Sequence, residues 1–232
     1  MSWAEITAVI FPAFAIFFVV IDPIGIVPFF MTLTDGKTNK EKSKIAFRSV
    51  FIATMILTIF AVGGKSLLSI LGISLSAFKI AGGLLLFLIA VDMLFEKRTE
   101  RRRKNTKKVD AENNAHNVHA HGGDDDDNDE EDVNDVAVFP LAVPFLAGPG
   151  SIAAIILLMS KYEGHIESQI IVYLVMLTSL LTCFIMFRFT NKLEKVVTPK
   201  MTNVATRLLG MLLAALSVEF VLSGLKTSVL FL

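Results

Sequence analysis

Charge in this chain is confined to a few short blocks, and the blocks are separated by apolar runs of about 20 residues or more. An α-helix needs about 20 apolar residues to cross a bilayer, so the runs read as membrane spans. Six fit, at residues 5–33, 47–70, 75–95, 136–160, 168–189 and 205–226. The expected fold class is therefore all-α and integral to the membrane. Composition agrees: 53% of the 232 residues are hydrophobic, and the mean hydropathy is +0.63. Soluble domains average about 45–50% apolar even with glycine counted. No Lys or Arg precedes the first run. Only about seven apolar residues lie ahead of the small-residue triplet Ala13-Phe14-Ala15, so this run is expected to belong to the mature protein. The single cysteine, Cys183, allows no disulfide framework.

The charge blocks give an orientation. With six spans, the loops after the first, third and fifth share one side of the membrane. They and their flanks carry 18 of the 22 basic residues: five between Lys37 and Arg48, eight between Lys97 and Lys108, and five between Arg188 and Arg207. The other side has Lys65, Lys79, Lys161 and Lys226. The positive-inside rule places the basic side in the cytoplasm of a plasma (inner) membrane, with both termini outside. Residues 96–135 form the long cytoplasmic connector, which opens basic (RTERRRKNTKK), passes through AHNVHAH and ends acidic (DDDDNDEED). Nothing in it can bury a core, so disorder is expected. The chain thus divides into three-span units at 1–95 and 136–232.

The two units resemble each other. KIAGGLLL at 79–86 parallels RLLGMLLA at 207–214, and DPIGI at 22–26 parallels GPGSI at 148–152. Pro23 precedes Lys79 by 56 positions, and Pro149 precedes Arg207 by 58. An odd number of spans per unit forces the second to enter the membrane from the opposite side. The expectation is two inverted three-helix repeats with broken first helices, an architecture of secondary transporters whose substrate site lies near the midplane between the breaks.

Those breaks are VVIDPIGIVPFF (19–30) and FPLAVPFLAGPGSI (139–152). A proline inside a helix removes an amide donor and clashes with the carbonyl four residues back, and nearby glycines let the chain turn. In hydrocarbon an unpaired backbone group costs several kcal/mol, so a break persists where protein or trapped water satisfies it. The same backbone groups can hold a ligand: amides a carboxylate, carbonyls a cation or ammonium group. Candidate substrate-binding positions are therefore Asp22, Pro23, Gly25, Pro28, Pro144, Gly148, Pro149, Gly150 and Ser151. Asp22 stands halfway along its span, where a carboxylate costs roughly 2.5–3.5 kcal/mol on insertion scales and marks function by default. It either contacts a substrate ammonium, a coupling cation or a proton, or caps the following half-helix with Pro23 at its first position. Both roles can coexist. Asp92 and Glu219 nearly correspond in the repeat and are candidates for gating or proton relay, although both lie close enough to an interface to snorkel. Ser151, Thr182 and Ser217 suit either a polar path or ordinary helix packing. Gly82, Gly83 and Gly210 suit close helix contact. His116, His119 and His121 lie in the connector without the spacing of a structural metal site; a solvated linker is the expectation, and no metal site is assigned.

DPIGIVPFF, KIAGGLLLFLIAVDMLF, PLAVPFLAGPGSI and RLLGMLL resemble the signature segments of the MarC family of bacterial and archaeal membrane proteins, also called the neutral amino acid transporter family. The resemblance covers both halves and excludes the connector. Asp22, Pro23, Gly25, Pro28 and Phe30 match the first motif; Pro140, Leu141, Ala142, Pro144, Ala147, Gly148, Pro149 and Gly150 match the second. It implies a six-span inner-membrane transporter of small neutral amino acids such as glycine and alanine. The connector departs from the family pattern, and related metal exporters carry His-rich loops, so a metal-cation or other small-solute exporter is the alternative. The spans hold no histidine and, beyond Glu5 at the very start of the first, only three acids, which weighs against it. No hydrolase or metalloprotease motif stands in the spans, so no enzymatic activity, cofactor or nucleic-acid partner is expected. The implied partners are a small-molecule substrate, the lipid bilayer and a coupling H+ or Na+; the oligomeric state stays open.

Overall fold

A computed structural model describes residues 2–95, 137–190 and 199–229. Every regular element among them is helical. In chain order these are α1 (Trp3–Ile21), α2 (Pro23–Leu33), α3 (Asn39–Ile70), α4 (Leu75–Leu94), an irregular segment Ala137–Leu146, α5 (Pro149–Lys161), α6 (Ile166–Arg188) and α7 (Pro199–Val229). α1 and α2 continue as one 31-residue apolar span, and α3, α4, α6 and α7 are each long and apolar enough to cross a membrane. The irregular segment and α5 pass the same test as a pair, bent by 50° at their junction. The connector and its three histidines lie outside the described residues.

Local chemistry sets the helix ends. Ser2 with Glu5, and Thr38 with Glu41, form reciprocal capping boxes at the starts of α1 and α3, and Ser74 caps α4. Gly36, Gly72 and Gly164 take φ of 75°, 68° and 79° in the short turns between successive helices, a conformation glycine reaches without a Cβ clash. The Thr38 box also explains why α3 begins at Asn39 rather than at 47. Its 32 residues extend about 48 Å at 1.5 Å per residue. The hydrocarbon core is only about 30 Å thick, so the polar end NKEKSKIAFR projects into the basic interface.

The core sits around α5. Gly150, Ser151, residues 153–158 and Ser160 are all buried, and the helix touches α1, α3, α4 and α6. A helix that is apolar all round belongs in such a place. The outer surface is apolar too: Phe47, Phe51 and Ile59 along α3 are each 60% exposed. That surface suits lipid contact. The most extensive helix–helix interface joins α4 and α7. A Cβ at Gly83 would meet Val221 Cγ2 at 2.8 Å and the Ser217 carbonyl at 2.9 Å; one at Gly210 would meet Met93 Cβ at 3.0 Å and the Ala90 carbonyl at 3.2 Å; one at Gly224 would meet the Ser76 carbonyl at 2.9 Å. As residue numbers rise on one helix they fall on the other, so α4 and α7 are antiparallel, and glycines set their approach.

Candidate functional site

The first break is a one-residue joint. Asp22 has φ 55° and ψ 65° and is the only described non-glycine residue with positive φ. Asp and Asn tolerate this region because their short polar side chains bond locally. The Asp22 amide donates to the Phe18 carbonyl at 3.0 Å and closes α1; the Asp22 carbonyl accepts from the Ile26 amide at 3.1 Å and opens α2. Its Oδ1 accepts from the Gly25 amide at 3.0 Å. Pro23 occupies the first helical position, where a missing amide hydrogen is harmless. Asp22 is therefore a cap for both helices, and its side chain is only 2% exposed. Gly25 is dictated by the same geometry, since a Cβ there would lie 2.7 Å from Asp22 Cγ.

The second break is longer. Phe139 (φ −132°, ψ 126°) and Val143 (φ −126°, ψ 123°) are extended, as residues before proline prefer. The peptides they form with Pro140 and Pro144 are cis. The chain closes on itself through Ala147, whose amide donates to the Ala142 carbonyl at 2.9 Å, and the Gly148 carbonyl accepts from Ile152 at 3.0 Å to start α5. A Cβ at Gly148 would collide with the Pro144 carbonyl oxygen. Gly148 also has no side chain to cap α5. The two breaks therefore differ: a carboxylate accepts from the Gly25 amide at the start of α2, and the N-cap residue of α5 makes no side-chain cap.

Packing brings the breaks together. A Cβ at Gly150 would sit 3.0 Å from Val20 Cγ1 and 2.6 Å from Ile89 Cδ1, so glycine lets the start of α5 close onto the end of α1 and the side of α4. The rings of Phe29 and Phe145 approach with centroids 5.9 Å apart. Asp22, Pro23, Gly25, Gly148, Gly150 and Ser151 are buried, Pro144 is half-buried, and Pro28 and Pro149 are exposed. Val20, Ile89, Phe29 and Phe145 were not among the candidates. One signal for the last two was present: Val-Pro-Phe occurs at both 27–29 and 143–145.

The other candidates lie apart. Asp92, half-buried, follows Ile89 by three positions on α4; Glu219 is exposed on α7. Ala90 and Met93 face Gly210, and Glu219 stands nine residues, about 13 Å, further along α7. The structure does not bring the two acids together. Thr182 and Ser217 hydroxyls donate within their own helices, to the carbonyls of Thr178 (2.9 Å) and Ala214 (2.7 Å). Among the described residues no cluster of three His, Cys, Asp or Glu could hold a metal ion.

The family model described as MarC family integral membrane protein matches residues 7–119 and 114–229. A UPF0056 membrane protein of Archaeoglobus fulgidus is 33% identical over 227 residues, covering 97% of this chain and 96% of the relative. One from Aquifex aeolicus is 32% identical over 227 residues, covering 97% of each. The UPF0056 membrane protein YhcE of Escherichia coli K12 is 30% identical over 221 residues, covering 93% of each. No solved structure matches the chain. Matched across both halves and aligned nearly end to end with these relatives, the chain belongs to the MarC family of integral membrane proteins.

Proposed function

We propose that this protein is a secondary transporter of small neutral amino acids, with its substrate site between Asp22 and the start of α5. The observation that carries the reading is the convergence of the two breaks at Val20 and Gly150. A zwitterion needs opposite charges recognised a few ångströms apart. The Asp22 carboxylate is suited to the ammonium group. The α5 amides, without a side-chain cap, are suited to the carboxylate, because a helix N-terminus carries roughly +0.5 of a charge. With Asp22 buried, the conformation described is closed over the site, so exchange with either side requires a rearrangement.

An inverted repeat supplies one. Gly83 meets Ser217 and Val221, and Gly210 meets Ala90 and Leu94. Gly210, Ser217 and Val221 each lie 127 positions after Gly83, Ala90 and Leu94 respectively. The same shift carries Asp92 onto Glu219. These paired contacts support a pseudo-twofold relation between the halves, with Gly83 rather than Gly82 as the counterpart of Gly210. Rocking of one half against the other would open the site alternately to each side, with Asp92 and Glu219 at equivalent positions as the gating or relay acids. The basic side faces the cytoplasm in this reading, and both termini face outward.

Uptake of labelled glycine and alanine into proteoliposomes, with and without a pH or sodium gradient, tests the proposal. Accumulation above the external concentration in one gradient is expected. Equilibration at the same rate as protein-free vesicles under every gradient would overturn it. The metal-exporter reading draws only on the His- and Asp-rich connector. Deleting residues 105–132 should leave amino acid uptake intact; loss of metal tolerance in cells with uptake preserved would favour a metal role for that segment.

A further inference from the structure

We propose that the crevice between α3 and α6 binds an anionic phospholipid, its headgroup phosphate held by Lys42 and Arg188 and an acyl chain lying in the apolar groove alongside. Two cavities lie along these helices. A small polar crevice is lined by Lys42 and Ser43 from the start of α3 and by Arg188 from the end of α6. An apolar groove of about 680 Å³ is lined by residues of the same two helices, among them Phe47, Phe51, Leu181 and Phe184. Ser43 to Phe47, and Arg188 to Phe184, are single-turn steps along their helices, so the crevice and groove share one face. Phe47 and Phe184, both lining the groove, meet edge to face with centroids 6.4 Å apart, one turn from Ser43 and Arg188.

The chemistry along this face is that of a phospholipid. Phe47 and Phe51 are 60% exposed and Leu181 is 54% exposed, so the groove is open to the hydrocarbon. Its polar end coincides with the basic interface. Lys42 and Arg188 come from different helices and line one crevice, whose lining among the described residues includes no carboxylate. Two like charges brought together repel, and a phosphate between them turns that repulsion into two charge-assisted contacts. Basic pockets between membrane helices hold anionic headgroups on this principle. The same charges disfavour a second copy of the chain on this face, because a twofold contact would add two more cations to the pair.

The test is native mass spectrometry of the delipidated full-length protein in detergent, titrated with phosphatidylglycerol or phosphatidylcholine of matched chains. Phosphatidylglycerol is expected to bind at least ten-fold more tightly. The Lys42→Gln/Arg188→Gln double variant should bring it to the level of phosphatidylcholine, and Lys42→Arg/Arg188→Lys should retain the preference. Thr178→Trp, which fills the groove from an exposed position, should weaken both lipids. Equal binding of the two lipids by the unaltered protein would overturn the proposal, as would a preference that survives the double glutamine variant. A dimer that forms without lipid and is lost in Thr178→Trp would assign the groove to a second copy instead. Melting curves in the same detergent identify any variant that fails to fold; should Thr178→Trp fail, the charge variants decide.

Discussion

A single residue, Asp22, carries three jobs: it ends one helix, starts the next and places a carboxylate inside the membrane body. Substitution can separate them. Asparagine tolerates the left-handed conformation and caps helices about as well as aspartate, so Asp22→Asn is expected to leave the melting temperature nearly unchanged. Alanine loses the cap, worth about 0.5–2 kcal/mol, and pays the left-handed penalty of roughly 1–2 kcal/mol. Asp22→Ala should therefore melt clearly lower in detergent. The transport proposal adds a second expectation: Asp22→Asn folds normally but loses gradient-driven uptake. If its rate and pH dependence match those of the unaltered protein, the carboxylate acts only as a cap. The residue-scale logic was partly visible in the chain. Asp-Pro followed by glycine announces a cap, and the hydrogen bond from Gly25 to Oδ1 is that cap. The left-handed φ was not visible, because nothing local distinguishes a cap that continues a span from one that follows an ordinary loop.

At the scale of elements, glycines regulate how closely helices approach, and adjacent ones do opposite things. A Cβ at Gly63 would meet nothing within 4 Å, whereas one at Gly64 would lie 2.6 Å from Ile156 Cγ1 on α5. Gly63→Ala should raise thermal stability by about 0.4–1 kcal/mol through reduced freedom of the unfolded chain. Gly64→Ala should lower it by about 1–3 kcal/mol through overpacking. Equal shifts for the pair would contradict the close α3–α5 approach. Which of two neighbouring glycines faces a partner depends on helix rotation, and α3 has apolar residues around most of its circumference near this point. Periodicity therefore located the span but not its packed face. The same limit applies to Gly82 and Gly83. Sequence similarity aligned Gly82 with Gly210, whereas the α7 contacts fall on Gly83. Segment boundaries were more legible where caps act: α4 begins at Leu75 after Ser74. The start of α3 was placed too late because hydropathy sees only the lipid-buried part of a helix that the Thr38 cap begins in water.

For the whole molecule, the five long apolar helices and the bent pair that counts as a sixth span were readable because membrane spans declare themselves by length and composition alone. The bent fourth span was foreshadowed by its three prolines; its 50° angle was not, since proline marks where a helix breaks and tertiary packing decides how far it turns. The orientation can be checked directly. Cys183 is the only cysteine and is buried, so single cysteines introduced at Ser74 and Gly164 should react with a membrane-impermeant maleimide in intact cells. A cysteine at Lys37 should react only after the cells are opened. The reverse pattern would invert the assignment. Lys65 and Glu163 form an ion pair that ties α3 to the α5–α6 turn, linking the two halves of the chain. The joint at Asp22 has a mechanical consequence on this scale. α2 has 11 residues and forms a lever about 16 Å long at 1.5 Å per residue; a swivel of about 10° at its base would carry its far end roughly 3 Å. A torsional adjustment confined to one residue would thus be amplified into a displacement comparable to the width of a water molecule, with both flanking helices left intact.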